Sequence, residues 1–183
     1  MRHLRPALLL ALASAALSAH AAVVNFDAYT PVETKVNPLD SEGLTFTASY
    51  DAQYIWGDNR PGARNGTQSL IYGFSSTTIT RTGGGAFTFG GLDYGQSFFS
   101  VPTDPLTVTL NLVGGGVQVF SLTSTQSFQT LTTTAEVTSV TLSQNSGYVA
   151  IDNVRFNEIS SAVPGPAAAL PFALMALRRR KRA

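Results

Sequence analysis

The sequence predicts an all-β protein, a β-sandwich or jelly roll of about ten short antiparallel strands. Three observations carry that expectation. Thr, Ser, Val, Phe and Gly dominate the body of the chain, and helix signals are nearly absent. Several stretches alternate apolar and polar residues with a period of two. The glycine clusters Gly83-Gly84-Gly85, Gly90-Gly91 and Gly114-Gly115-Gly116 fall between such stretches, where hairpin turns often need positive φ.

In chain order the candidate strands are residues 23–26, 44–49, 69–74, 77–82, 86–89, 93–100, 107–112, 117–122, 127–131, 138–143 and 148–156. Thr107-Val108-Thr109-Leu110-Asn111-Leu112 alternates cleanly. So does Thr138-Ser139-Val140-Thr141-Leu142-Ser143, which puts Val140 and Leu142 on one face. Residues 117–122 carry Val117, Val119 and Ser121 on one face and Gln118, Phe120 and Leu122 on the other, the pattern of a strand covered on both sides. The longest irregular stretches are 27–43 and 52–68, and loops of that length are often functional. There is no internal repeat.

Both ends of the chain read as processing signals. Arg2, His3 and Arg5 form a positive leader, 7–17 is apolar, and Ala19-His20-Ala21 is a small-x-small cleavage site. That is a secretory signal peptide over 1–21, cut after Ala21. At the other end stand Val163-Pro164-Gly165-Pro166, an apolar run over 167–177, then Arg178-Arg179-Arg180-Lys181-Arg182. As a helix the apolar run reaches only about 17 Å, against a hydrocarbon core of about 30 Å. Pro171 interrupts it. Such a segment holds a membrane transiently at best, with its basic end on the cytoplasmic side.

This tail, 159–183, resembles the PEP-CTERM sorting signal of Gram-negative bacteria, with Gly165 where the usual motif has Glu. The motif positions are Val163, Pro164 and Pro166, and the basic end is carried by Arg178, Arg179, Arg180 and Arg182. The resemblance implies a signal peptidase and an exosortase-like enzyme as processing partners. It also implies transient inner-membrane tethering, then release to the cell envelope or the extracellular space. It further implies a link to exopolysaccharide or biofilm production.

Between the signals, 22–158 forms one domain, large enough for a core. It holds eleven acids and five bases, a net charge of −6, so the formal total of +1 hides an acidic body between basic ends. Nucleic acid is then an unfavourable partner, since phosphate binding needs a basic patch. The only histidines, His3 and His20, lie in the signal peptide, and there is no Cys. The body therefore has no thiolate or imidazole chemistry, which excludes Cys or His zinc sites, Ser-His-Asp triads and disulfides. No catalytic residue is nominated, because nothing in the sequence sets two carboxylates at glycosidase separation.

The body opens on Asn25-Phe26-Asp27 and closes on Gly147-Tyr148-Val149-Ala150-Ile151-Asp152-Asn153-Val154-Arg155-Phe156. Strand alternation puts Asp152 on the face of Tyr148, Ala150, Val154 and Phe156. If that face is the core, the carboxylate needs a partner. One solution is a structural calcium held with Asp27; the other is hydrogen bonding at a bulge or loop, without metal. The opening and closing segments are similar to jelly-roll carbohydrate-binding modules. That resemblance implies that the first and last strands pair and that an acid from each holds the calcium.

A second candidate is the loop of Trp56, Asp58, Asn59 and Arg60, where the only tryptophan stands beside polar side chains suited to a sugar ring. The alternative is that Trp56 fills the core under a long loop. Asn65-Gly66-Thr67 matches a glycosylation sequon but reads as a turn. Gly90-Gly91 and Asp93-Tyr94-Gly95 read as turn and strand-edge chemistry. The expected function is that of an exported, non-enzymatic surface or matrix protein. The alternative is a module that binds polysaccharide through the Trp56 loop.

Overall fold

In a computed structural model of the chain, residues 21–29, 32–50, 53–57, 61–97 and 104–158 are described. Residues 1–20 of the expected signal peptide, the sorting tail and the loop residues Asp58, Asn59 and Arg60 lie outside them, and Ala21, the last residue of that expected peptide, opens the first strand. The described residues form strands and turns with no helix, and hence no helix long and apolar enough to cross a membrane.

Ten strands make up the fold: β1 (Ala21–Val24), β2 (Val32–Lys35), β3 (Leu39–Ser41), β4 (Leu44–Ala48), β5 (Gln53–Trp56), β6 (Ser69–Arg81), β7 (Phe87–Ser97), β8 (Leu106–Leu112), β9 (Val117–Leu122) and β10 (Gln129–Glu158). All pairings are antiparallel. The strands are hydrogen-bonded into one continuous network. It resolves into two layers because β6 and β10 bend and serve both.

In the first layer β2 pairs β5, β5 pairs the first half of β6, and residues 148–151 of β10 pair that half in turn. β7 lies between the last and the first thirds of β10. β1 runs beside Val154–Asn157, so the opening and closing strands are neighbours, as the resemblance implies. In the second layer the order is β3, β4, the second half of β6, residues 139–144 of β10, β8 and β9. This is a β-sandwich.

The inward faces meet in one core. Ile55, Leu70, Tyr72, Val149, Ile151, Phe87 and Phe89 come from the first layer. Leu44, Phe46, Ile79, Val140, Leu142, Val108 and Leu110 come from the second. Phe26, just after β1, packs edge-on against Phe46 of β4, ring centres 5.4 Å apart, which ties the layers together. Fully burying such side chains stabilises by about 1.5–3 kcal/mol each. Gln53 is buried in the same region with its amide satisfied. Its Nε2 donates to the carbonyls of Val36 (2.9 Å) and Phe46 (3.3 Å), and its Oε1 accepts from Thr77 (3.3 Å).

The two shared strands bend at one level. β6 turns at Phe74, held at φ 51°, and β10 turns through a register shift between Gln144 and Tyr148. Gly73 is required there, because a Cβ would collide with the Gly147 carbonyl and the Tyr148 ring. Strands that pass between layers need such irregularities.

Three expectations are revised. The stretches 69–74 and 77–82 are one strand, as are the separately expected segments of β7 and of β10, because bends and bulges rather than loops connect them. The stretches 27–43 and 52–68, read as irregular, hold the short strands β2, β3 and β5. Residues 117–122 are not covered on both sides. β9 is an edge strand with four exposed and two half-buried residues.

Candidate functional site

A polar cluster lies where β10 changes phase. Before residue 152 the odd-numbered Val149 and Ile151 face the main core; after it the even-numbered Val154 and Phe156 do. The pairing with β7 breaks between Asp152 and Arg155, and Asn153 sits at φ 46°. This is a bulge. It corrects the strand alternation expected for Asp152, which does not share one face with Tyr148, Ala150, Val154 and Phe156 together. Tyr148 and Ala150 belong to a separate cluster on the outer side of the first layer.

Asp152 is fully buried. Its Oδ2 accepts from Asn65 Nδ2 at 2.6 Å and Thr67 Oγ1 at 3.0 Å, and its Oδ1 accepts from the Asn153 backbone N–H at 2.7 Å. Burial pushes the carboxyl pKa up; the bonds from Asn65, Asn153 and Thr67 oppose that, and the nearby charge of Asp27 adds to it. Asp27 is exposed and accepts the Gln68 backbone N–H at 3.1 Å. The fold thus brings Asp27 and Asp152, 125 positions apart in the sequence, within electrostatic reach of one another.

The segment between them is a built turn. Gly66 is at φ 89°, and Asn65 Oδ1 accepts from the backbone N–H of Thr67 (3.2 Å) and shares the single Thr67 hydroxyl hydrogen (2.7 Å) with Asp152. That agrees with the turn reading of Asn65-Gly66-Thr67. The turn also does what sequence reasoning missed, which is to carry two donors to Asp152. The same side-chain types at i and i+2 around a glycine were the available signal.

A second polar group flanks the bulge. Asp93 of β7 accepts from Arg155 Nη1 (3.0 Å), Asn153 Nδ2 (2.9 Å) and Thr130 Oγ1 (2.8 Å). Arg155 also donates to the Leu131 carbonyl at 3.1 Å. Gly90-Gly91 lies inside β7 rather than in a turn, and a Cβ at Gly91 would run into the Leu131 carbonyl. The two carboxylates of this region, Asp93 and Asp152, each hold donors of their own. Among the described residues no group of three or more His, Cys, Asp or Glu side chains is placed to hold a metal.

Trp56 is elsewhere and is 8% exposed. Its ring packs with Ile71 and Ala150 beneath Tyr54, Phe128 and Tyr148 on the outer side of the first layer. It stands in an apolar cluster, and its expected partners Asp58, Asn59 and Arg60 lie outside the described residues.

No family model matches the chain, and no curated protein is significantly similar to it.

Proposed function

We propose that the chain is an exported, non-enzymatic β-sandwich protein of the cell envelope or extracellular matrix, sorted through its C-terminal signal. The observation that carries this reading is the order of the tail: Val163-Pro164-Gly165-Pro166, a short apolar run broken by Pro171, and five consecutive basic residues. The signal peptide at the other end supports it. The body fits a scaffold role, since the polar side chains around the β10 bulge are engaged in joining loop to strand and strand to strand.

Intact mass spectrometry of the secreted protein tests the proposal, because both cleavages register in one mass. Loss of 1–21 together with loss of tail residues is the expected result. Replacing Arg178, Arg179, Arg180, Lys181 and Arg182 with neutral residues should leave the tail unprocessed. An unchanged mature mass and normal release in that variant would refute the sorting role.

A structural calcium at Asp27 and Asp152 is a second element of the proposal, favoured by the convergence of those two carboxylates. The donor set is oxygen-rich and fits a hard cation in kind. Asn65 and Thr67 now direct hydrogens at Asp152, so they would have to turn to offer their oxygens instead. Calcium would then offset the repulsion between the two acids. A calcium-dependent rise in melting temperature, absent in Asp152→Ala, is expected. An unchanged melting temperature at millimolar calcium leaves Asp152 held by hydrogen bonds alone.

A further inference from the structure

Among the described residues five stretches are bonded along one side only, and four of them are guarded: β1 is four residues long. β2 is likewise four residues long. β3 is three residues long and includes Asp40. The first third of β10 is broken by a register shift between Thr132 and Ala135. Charge, shortness and bulges are the usual means of stopping an edge from pairing with another chain. β9 has none of these.

β9 is six residues long and regularly paired to β8 from Leu106↔Leu122 to Asn111↔Val117. No strand among the described residues bonds its other side. Phe120 and Leu122 lean on the core, whereas Val117 and Val119 are 62% and 57% exposed. Val113, at the turn joining β8 to β9, is 45% exposed. Half of the large exposed apolar side chains of the described residues therefore stand on this one hairpin.

The charge pattern indicates which partner fits. Residues 105–135 contain no Asp, Glu, Lys or Arg, the longest uncharged run of a body whose net charge is −6. Two copies of an acidic domain repel one another over most of their surfaces. At β9 they can meet without placing acid against acid. An antiparallel pair about a two-fold axis is also self-complementary here. Centred on Val119, it sets Val119 against its own copy and Val117 against Ser121.

We propose that β9 is a self-association edge, through which two copies of this chain pair antiparallel and join their second layers into one continuous sheet. The partner is a second copy of the chain. The six-residue strand supplies backbone hydrogen bonds for affinity, and Val117 and Val119 supply apolar cover. This inference is independent of the sorting signal.

The test is sedimentation velocity on the full chain across a concentration series from micromolar to submillimolar, with hydrogen exchange at the same concentrations. A reversible dimer is expected, with Val117–Leu122 amides gaining protection as it forms. V117K/V119K, altering two exposed side chains, should weaken the dimer by at least about tenfold. Tyr50→Lys, at a 73% exposed residue outside β9, should leave it unchanged. A monomer at every concentration overturns the proposal. So does a dimer that survives V117K/V119K, or one that forms without protecting 117–122.

Discussion

Asn65→Ala tests whether the Asp152 cluster pins the 61–68 segment to the closing strand. Asn65 Nδ2 donates at 2.6 Å to a carboxylate with no solvent exposure. Net contributions of hydrogen bonds to charged groups run about 1.5–3 kcal/mol. Asn65 also competes for the second donor, because the single hydroxyl hydrogen of Thr67 is shared between Asn65 Oδ1 at 2.7 Å and Asp152 Oδ2 at 3.0 Å. Truncation removes the Asn65 bond but leaves the Thr67 hydrogen to Asp152 alone, so a loss of about 1.5–2 kcal/mol is expected, near the bottom of that range. Urea denaturation at neutral pH reads it as a lower midpoint with an unchanged m-value. The same substitution in an Asp152→Ala background should cost at least about 1 kcal/mol less, since the charged acceptor is gone. A loss below about 0.5 kcal/mol, or an equal loss in both backgrounds, would show that Asp152 does not hold this segment.

Three further outcomes follow from the same geometry. Burial raises the folded pKa of Asp152 above its unfolded value, so the native state holds the proton more tightly and the unfolded chain carries fewer protons in the window between the two. The stability of the wild type relative to Asp152→Asn should therefore grow as pH falls through that window, by up to about 1.4 kcal/mol per pH unit; urea midpoints in a pH series read the slope, and the opposite sign would mean that the three hydrogen bonds outweigh burial. Tyr72 is fully buried and its hydroxyl finds no hydrogen-bond partner among the described residues, so Tyr72→Phe should raise stability by about 1 kcal/mol in the same assay, and a clear loss would reveal a partner. Phe74 holds φ 51° with its ring against Tyr148; Phe74→Gly and Phe74→Ala both lose the ring, but only Gly relieves the backbone, so the Gly variant should be the more stable by about 1 kcal/mol, and equal melting temperatures would remove strain from the account.

Periodicity exposed most of the strands because period-two alternation follows directly from burying one face. The stretch 117–122 matches β9 in its bounds, but the strand is an exposed edge rather than covered on both sides. Val and Phe on such a strand are compatible with burial or with an edge, and only the sheet order decides which. β2, β3 and β5 were lost inside long irregular stretches because each has three or four residues, too few for a period to register. For Asp152 the sequence pointed to a buried acid in need of a partner, and the structure agrees. Asn65 and Thr67 were not legible as those partners. They lie more than eighty positions away, and a turn motif satisfies its own local bonds without indicating what else it touches.

The closing segment Ile151-Asp152-Asn153-Val154-Arg155-Phe156 has a structural explanation that requires no catalysis. β7 and β10 each change phase, and they do so at the same level, around Gly90-Gly91 in one and 152–155 in the other. Matched changes keep the inner face continuous: Leu92 and Tyr94 stay with Val149 and Ile151, and Phe87 and Phe89 stay with Val154 and Phe156. Phe87 meets Phe156 edge-on at 6.4 Å, a contact that an unmatched shift would break. The residues within the shift cannot all point into the core, so polar side chains belong there. Asp152, Asn153 and Arg155 are those side chains, and each bonds across the bulge to Asn65, Thr67 or Asp93. An apolar residue at 152 would remove the acceptor of the Asn65 amide and of the Asn153 backbone N–H, while the Thr67 hydroxyl would keep Asn65 Oδ1, at about 1–3 kcal/mol in all. The acid is thus explained by what the bulge needs, and any calcium held with Asp27 would have to turn Asn65 and Thr67 away from their present bonds to Asp152.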